Sequence, residues 1–175
     1  MKLKTLIIDD EKSILQTFKL RLAKWGYDIL LASNGVQGLK ILSENECHVV
    51  ITDLKMPGIS GRELVQRIHE HHPKTEIVVI TGYATVESAV DVMKSGACDL
   101  IVKPLNFDHV RIVLEKIAAR ITLQEENLKL QGFVGELRNE VEKKYRMGNL
   151  IGKSRAIHTV FDQIRKVAPD RKSVV

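Results

Sequence analysis

The sequence has little cysteine, proline or aromatic character. Its 175 residues include two cysteines, four prolines and 5% aromatic side chains. Two cysteines do not make the disulfide framework of a small secreted protein, and we interpret Cys47 and Cys98 as reduced core residues because each precedes an apolar segment. The 44% hydrophobic and 28% charged content predicts a packed core and excludes a wholly disordered chain.

Long apolar runs are also missing. No run approaches the ~20 residues that a membrane-spanning helix needs. The first four residues lead directly into a strand-like segment that acidic residues follow, and this is not the pattern of a signal peptide. We therefore expect a cytoplasmic protein that makes no membrane contact.

The net charge of +5 is unevenly spread. Residues 1–120 hold 16 basic and 15 acidic side chains, whereas residues 121–175 hold 11 and 7, out of totals of 27 and 22. In the C-terminal part the two signs interleave at helical spacing, which indicates a solvated helix surface. Because no aromatic-basic platform or helix-turn-helix pattern is present, we expect no direct contact with nucleic acid.

Apolar strand-like runs alternate with amphipathic segments. The periodicity predicts strands near 3–9, 27–32, 48–52, 76–80 and 98–102, and helices near 12–25, 35–44, 60–70, 84–95 and from 107 onward. This alternation predicts an α/β fold, a flavodoxin-like doubly wound five-stranded parallel sheet. In such sheets ligands bind beyond the carboxyl ends of the strands.

Polar side chains follow four of the predicted strands. Asp9 and Asp10 end the first, Asp53 the third, Thr81 the fourth and Lys103 the fifth. Because these strand ends meet at one edge of the sheet, we expect the side chains to be neighbours. Crowded carboxylates repel unless a cation intervenes, and hard oxygen ligands in an open site suit Mg²⁺.

Such an edge supports phosphoryl transfer to a carboxylate. Asp53 is the candidate nucleophile and would form an acyl phosphate. Negative charge on the transferring group would be stabilised by Lys103 and by Mg²⁺ bound to Asp9, Asp10 and Asp53. Thr81 would donate its hydroxyl to a phosphoryl oxygen. The catalytic candidates are therefore Asp53, Lys103 and Thr81, and the metal ligands are the three aspartates.

Four segments resemble the signatures of response-regulator receiver domains. They are Ile8-Asp9-Asp10-Glu11, Thr52-Asp53-Leu54-Lys55-Met56-Pro57-Gly58, Thr81-Gly82 and Lys103-Pro104. The resemblance covers about residues 3–120 and implies a CheY-like fold and a sensor histidine kinase that phosphorylates Asp53. It also implies a Mg²⁺ shell completed by Asp10 and the backbone carbonyl of Lys55, inward movement of the loop after strand four, and a cis peptide before Pro104.

The sequence departs from this family three residues before Lys103. The family usually has Tyr or Phe there as a rotating switch, and this chain has Leu100. An aromatic switch at this position is therefore not expected. Tyr83, two residues after Thr81, is an alternative responder, and simple packing beside the next helix is the competing interpretation.

The last helical pattern runs beyond the expected domain. One apolar frame contains Val110, Leu114, Ile117, Ile121 and Leu128, and a displaced frame contains Leu123, Leu130, Val134, Leu137 and Val141. The narrow stripe predicts a two-stranded coiled coil with a break in register, giving a homodimer through residues 107–146. Gly132 and Gly135, which each weaken a helix by ~1 kcal/mol, are interpreted as marks of the break. The alternative is one helix folding back on its own domain.

The C-terminal segment shows a narrower resemblance. Leu150 to Ser154 and Val167 to Pro169 are similar to the start of the ATPase domain in NtrC-family activators. The resemblance implies that a longer protein binds DNA and sigma-54 RNA polymerase. The predicted organisation is a receiver at 1–120, a helical linker at 121–147 and a truncated ATPase start at 148–175. ATP binding here is rejected because Gly148 and Gly152 are spaced one residue too closely for a phosphate loop.

Two other functions use similar parts. A haloacid-dehalogenase-like phosphatase also employs Asp, Thr, Lys and Mg²⁺, but it places an acid two residues after a first-strand nucleophile aspartate, where Asp9 is followed by Asp10 and Glu11. A flavodoxin-like flavin carrier needs a Ser/Thr/Gly-rich phosphate loop after the first strand, which is absent. The favoured function is a signalling receiver that catalyses only transfer to its own Asp53.

Overall fold

The computed structural model of the chain describes residues 3–82, 85–145 and Thr159, with side chains in the last helix described through residue 139. Tyr83 and, apart from Thr159, the segment 148–175 lie outside the described residues. In the described part, five strands alternate with five helices. They are β1 (Lys4–Ile8), α1 (Lys12–Lys24), β2 (Asp28–Ala32), α2 (Gly35–Glu44), β3 (Val49–Asp53), α3 (Gly61–His71), β4 (Glu76–Thr81), α4 (Val86–Lys94), β5 (Asp99–Val102) and α5 (Phe107–Tyr145).

All five strands run parallel in one sheet. Their order is β2-β1-β3-β4-β5. The register pairs Ile8 with Thr52, Asp53 with Ile80, and Thr81 with Val102, so the carboxyl ends of the strands meet at one edge. The predicted doubly wound five-stranded fold is confirmed.

Alternate strand residues enter two separate cores. One core packs strand side chains such as Ile7 and Ile51 against α1 and α5. The other packs Ile8 and Val79 against α2 and α3, with Val92 of α4. Burial on both faces explains why the strand sequences are continuously apolar rather than alternating.

Side chains before three helices fix where the loops end. The Asn34 side chain accepts a hydrogen bond from Gln37 N at 2.9 Å and begins α2. Ser60 Oγ accepts from Glu63 N at 3.2 Å and begins α3. Thr85 forms a reciprocal capping box with Ser88 at the start of α4. These caps satisfy backbone N–H groups that a helix leaves without partners.

The helix α5 changes character along its length. One stripe of its apolar side chains, from Val110 to Ile121, is buried, and Arg120 forms an ion pair with Glu76 of β4. The chain separates into two units, residues 1–123 and 124–175. In the described part of the second unit the apolar side chains are exposed. No described helix combines the length and the apolar character needed to cross a membrane.

Thr5 of β1 provides a test of core packing. Its side chain is fully buried, and its hydroxyl has no hydrogen-bond partner among the described residues. Thr5→Val replaces the hydroxyl with a methyl of similar shape, and an unsatisfied buried polar group costs about 1–3 kcal/mol. We expect the free energy of unfolding to rise by about 1 kcal/mol, measured by urea titration with an unchanged m value.

Thr17→Val is the matched control, because the exposed Thr17 hydroxyl donates to Ser13 O at 2.8 Å. It should give no gain in stability. Equal stability of the Thr5→Val variant and the wild type would contradict the assignment.

Candidate functional site at the carboxyl ends of the strands

Two adjacent strands deliver two buried carboxylates to the same edge. Asp53 is the last residue of β3 and is 6% exposed, and Asp9 follows β1 and is 1% exposed. The backbone of Asp9 continues the sheet, since its N–H donates to Ala32 O at 3.1 Å. Its Oδ1 accepts a hydrogen bond from Glu11 N at 2.8 Å, which fixes the carboxylate where the strand ends.

The loop after β3 orients Asp53. Its Oδ1 accepts a hydrogen bond from Lys55 N at 2.9 Å. Gly61 begins α3 so close to this loop that a Cβ there would lie 2.4 Å from Leu54 Cα and 2.9 Å from Asp53 O. Only glycine allows α3 to begin so close to this loop. The second carboxylate oxygen of Asp53, Oδ2, faces Lys103.

Lys103 joins the two carboxylates. Its Nζ lies 2.5 Å from Asp53 Oδ2 and 3.7 Å from Asp9 Oδ2. The backbone N–H of Lys103 donates to Thr81 O at 2.7 Å, tying the end of β5 to the end of β4. The peptide bond between Lys103 and Pro104 is cis, which confirms the sequence expectation.

Burial dominates the electrostatics of Asp9. Desolvation raises the pKa of this carboxyl above its ordinary value, against the lowering effects of the Glu11 N–H and the Lys103 ammonium. Burial also lowers the pKa of Lys103, but the hydrogen bond to Asp53 and the nearby carboxylates outweigh it and leave that pKa raised. The edge therefore holds more negative charge than one ammonium neutralises.

The predicted site residues are placed as follows. Asp9, Asp53 and Lys103 are brought into direct contact. Thr81 is buried at the end of β4, one residue beyond Ile80, the register partner of Asp53. Asp10 is exposed after β1. Lys55 contributes its backbone N–H to Asp53, while its side chain is exposed.

Two further residues complete the description. Glu11, which the sequence analysis did not assign to the site, places Oε1 3.9 Å from Lys103 Nζ. Its position directly after Asp9-Asp10 was the available signal. Leu100 of β5 is half-buried against the core that α2 and α3 cover, where the resembling family has an aromatic ring.

One carboxylate oxygen of the site is suited to bind a divalent cation. Asp9 Oδ2 is a buried acceptor without a hydrogen-bond partner in the described part of the chain. Across residues 3–82 and 85–145, no three His, Cys, Asp or Glu side chains converge closely enough to hold a metal ion by themselves. Mg²⁺ needs only one or two carboxylates because it keeps several waters. The donors therefore fit a hydrated Mg²⁺ and not a closed protein cage.

The raised pKa of Asp9 predicts that this carboxylate lowers the stability of the folded state in a pH-dependent way. The folded state holds the Asp9 proton more tightly than the unfolded chain, so stability falls as pH rises from 3.8 through the folded pKa. Asp9→Asn removes this cost. In chelator-containing buffer we expect the variant to be more stable than the wild type at pH 7, with the difference shrinking as pH falls through that window.

Urea titrations from about pH 4, near the ordinary pKa of an aspartate, to about pH 8 measure the difference. Asp10→Asn is the control, because this neighbouring carboxylate is exposed. If the Asp9→Asn variant is less stable than the wild type at pH 7, burial of the Asp9 carboxylate does not destabilise the folded state.

Sequence comparison identifies relatives along most of the chain. Residues 5–115 match the response regulator receiver domain family. The transcriptional regulatory protein ZraR of Klebsiella oxytoca is 29% identical over 170 residues, covering 97% of this chain and 36% of that protein. An NtrX-like response regulator of Rickettsia felis is 36% identical over 135 residues, covering 76% and 28%. The chain thus spans about a third of the length of the curated relatives it matches.

Structural comparison agrees. A receiver domain protein from Clostridium thermocellum superposes with a TM-score of 0.66 at 35% identity, covering 70% of this chain and 98% of that one. A CheY-like receiver from Methanospirillum hungatei gives 0.64 at 31% identity, covering 73% and 99%. These matches favour a receiver domain over the phosphatase and the flavin carrier considered above. We conclude that the chain belongs to the response-regulator receiver family, the signalling domains of two-component systems.

Proposed function

We propose that Asp53 accepts a phosphoryl group from a phosphohistidine of a sensor histidine kinase. The observation that carries this is the placement of one buried carboxylate, with Oδ1 held by Lys55 N and Oδ2 2.5 Å from Lys103 Nζ. In the step, a carboxylate oxygen of Asp53 forms a bond to phosphorus as the P–N bond to the kinase imidazole breaks. The products are an acyl phosphate and an imidazole that takes up a proton.

Lys103 serves the transfer by exchanging partners. Its ammonium neutralises Asp53 in the resting state and lies within reach of an oxygen on the incoming phosphoryl group. Asp9, Asp10, Asp53 and the carbonyl of Lys55 would hold Mg²⁺, which supplies positive charge for the equatorial oxygens. The buried Oδ2 of Asp9, which accepts no hydrogen bond from the described residues, supports this assignment.

The signal would leave the site through β4 and β5. The Thr81 hydroxyl would donate a hydrogen bond to the phosphoryl group, and the Thr81 carbonyl accepts one from Lys103 N at 2.7 Å. A shift of either residue therefore moves both strand ends and the loop that leads to α4. With Leu100 on β5, this response proceeds without a rotating aromatic ring at that position.

The output belongs to a longer protein. The matched relatives are transcriptional regulators about three times as long as this chain. Together with the resemblance of residues 148–175 to an ATPase start, this supports a receiver and linker from an NtrC-family activator of sigma-54 RNA polymerase that binds DNA through another domain. In this organisation residues 1–120 form the receiver and 121–147 the linker, which carries a homodimer contact because its apolar side chains from Leu123 to Leu137 are exposed.

Removal of the acceptor tests the chemistry. Asp53→Asn keeps the side-chain shape but lacks the nucleophilic carboxylate, so incubation with acetyl phosphate and Mg²⁺ should give no hydroxylamine-sensitive phosphoryl adduct. Intact-mass spectrometry measures the adduct. Asp99→Asn, at the opposite end of the sheet in β5, should label like the wild type. Undiminished labelling of the Asp53→Asn variant would reject the acceptor assignment.

Mg²⁺ binding is tested separately by thermal unfolding. A cation that binds only the folded state stabilises it by about 1.4 kcal/mol at tenfold its Kd. We expect Mg²⁺ to raise the Tm of the wild type and of the Asp99→Asn variant. The increase should vanish in the Asp9→Asn and Asp53→Asn variants. An identical Mg²⁺-induced increase in all four proteins would place the cation elsewhere.

A further inference from the structure

Glu11 carries a carboxylate beside the site that the proposed chemistry leaves unused. Its Oε1 lies 3.9 Å from Lys103 Nζ, and the same ammonium lies 2.5 Å from Asp53 Oδ2 and 3.7 Å from Asp9 Oδ2. The three acids differ in their contact with solvent. The Glu11 side chain is 60% exposed, whereas those of Asp53 and Asp9 are 9% and 2% exposed. Lys103 therefore approaches two buried acceptors and one exposed acceptor.

The backbone of Glu11 is fixed on both sides. Its N–H donates to Asp9 Oδ1 at 2.8 Å. Its carbonyl oxygen accepts hydrogen bonds from Ile14 N and Leu15 N, both at 3.1 Å, in the first turn of α1. A shift of the Glu11 backbone would therefore break the hydrogen bond that orients Asp9. The long side chain starts from a point that is held relative to the site.

The Glu11 side chain does not cap the helix that it precedes. Glu11 is the N-cap residue of α1, and within the described residues its side chain makes no capping hydrogen bond. The side chains of Asn34, Ser60 and Thr85 do cap the three helices that follow. Serine, threonine, aspartate and asparagine are preferred for capping, and glutamate is not. The carboxylate of Glu11 is therefore available to Lys103.

Lys103 and a divalent cation compete for one carboxylate. The ammonium lies 2.5 Å from Asp53 Oδ2, and the Mg²⁺ site proposed above uses the same aspartate. Two cations at one carboxylate repel each other, so Mg²⁺ binds more easily if the ammonium can move to another acceptor. Asp9 is not that acceptor, because it is also a proposed Mg²⁺ ligand. Glu11 lies outside the proposed ligand set and is already approached by Lys103.

We propose that Glu11 is a positioning residue that receives the Lys103 ammonium when Mg²⁺ binds. It acts through Lys103 and touches neither the cation nor the phosphoryl group. By drawing the ammonium away from Asp53, it increases the affinity of the site for Mg²⁺. The inference rests on the Mg²⁺ site and the phosphoryl acceptor proposed above. Because the Glu11 side chain is mostly exposed, we expect a modest effect, as for other exposed ion pairs.

Replacement of Glu11 tests this role. Glu11→Gln keeps the length of the side chain and removes its charge. Calorimetric titration of the full chain with Mg²⁺ should give a Kd about two- to fivefold higher, the range expected for one partly exposed ion pair. Glu46→Gln is the matched control and should bind like the wild type, because Glu46 is exposed in the loop before β3, at the opposite end of the sheet. An unchanged Kd in the Glu11→Gln variant would overturn the proposal.

The rate of phosphorylation gives a second measurement. With acetyl phosphate and limiting Mg²⁺, the Glu11→Gln variant should react more slowly than the wild type by the same factor as its loss of affinity. At saturating Mg²⁺ the two rates should be equal, because the substitution alters occupancy of the site and not the transfer step. A rate that stays lower at saturating Mg²⁺ would make Glu11 a participant in the transfer and contradict the positioning role.

A double-mutant cycle separates action through Lys103 from the plain loss of a negative charge. In a Lys103→Gln background, Glu11→Gln should leave the Mg²⁺ Kd nearly unchanged, because the ammonium is gone. The same factor in both backgrounds would show direct attraction of the cation and overturn the proposal. If Lys103→Gln does not fold, NMR of the lysine side-chain nitrogens decides. With Mg²⁺ bound, the Lys103 Nζ resonance should differ between the wild type and the Glu11→Gln variant, and identical resonances exclude the contact.

The outcomes also separate this proposal from the proposed function. A wild type that is phosphorylated on Asp53 and binds Mg²⁺ no more tightly than the Glu11→Gln variant keeps the receiver chemistry and overturns the role of Glu11. A wild type that binds no Mg²⁺ and takes up no phosphoryl group overturns both.

Discussion

The contact between the Lys103 ammonium and the buried carboxylates of Asp9 and Asp53 is the constraint on which the site depends. Two acids at 1% and 6% exposure share one ammonium, which lies 2.5 Å from one and 3.7 Å from the other. The unequal distances leave Asp9 Oδ2 without a hydrogen bond in the described part of the chain. This excess of buried negative charge makes the edge receptive to a cation, and any anion added to Asp53 must rearrange the same contacts.

The sheet makes that contact possible and also carries its consequences. β1 and β3 are neighbours, so their terminal acids are neighbours, while β4 and β5 bring Thr81 and Lys103 from the other side. Lys103 N donates a hydrogen bond to Thr81 O, which joins the two strand ends. Leu100 of β5 packs against the core that α2 and α3 cover.

The helix α5 changes from buried to exposed apolar side chains along its length. Its first stripe, through Ile121, completes the core beside β4 and β5 and is reinforced by the Arg120–Glu76 ion pair. Its second stripe begins at Leu123 and is exposed. The same helix thus carries buried apolar side chains before Leu123 and exposed ones from Leu123 to Leu137.

Local sequence determined the elements and the candidate acids. Apolar runs and helical periodicity predicted all five strands and helices, and Asp9, Asp53 and Lys103 were identified because each follows a strand. Tertiary structure decided which side chains lie in contact, which the spacing along the sequence does not contain. Asp53 and Lys103 are 50 residues apart, and their distance depends on strand order and register. Packing of the assembled sheet also decides three other features. They are the buried Asp9 Oδ2 that accepts no hydrogen bond from the described residues, the 3.9 Å distance from Glu11 Oε1 to Lys103 Nζ, and the end of the buried stripe at Ile121.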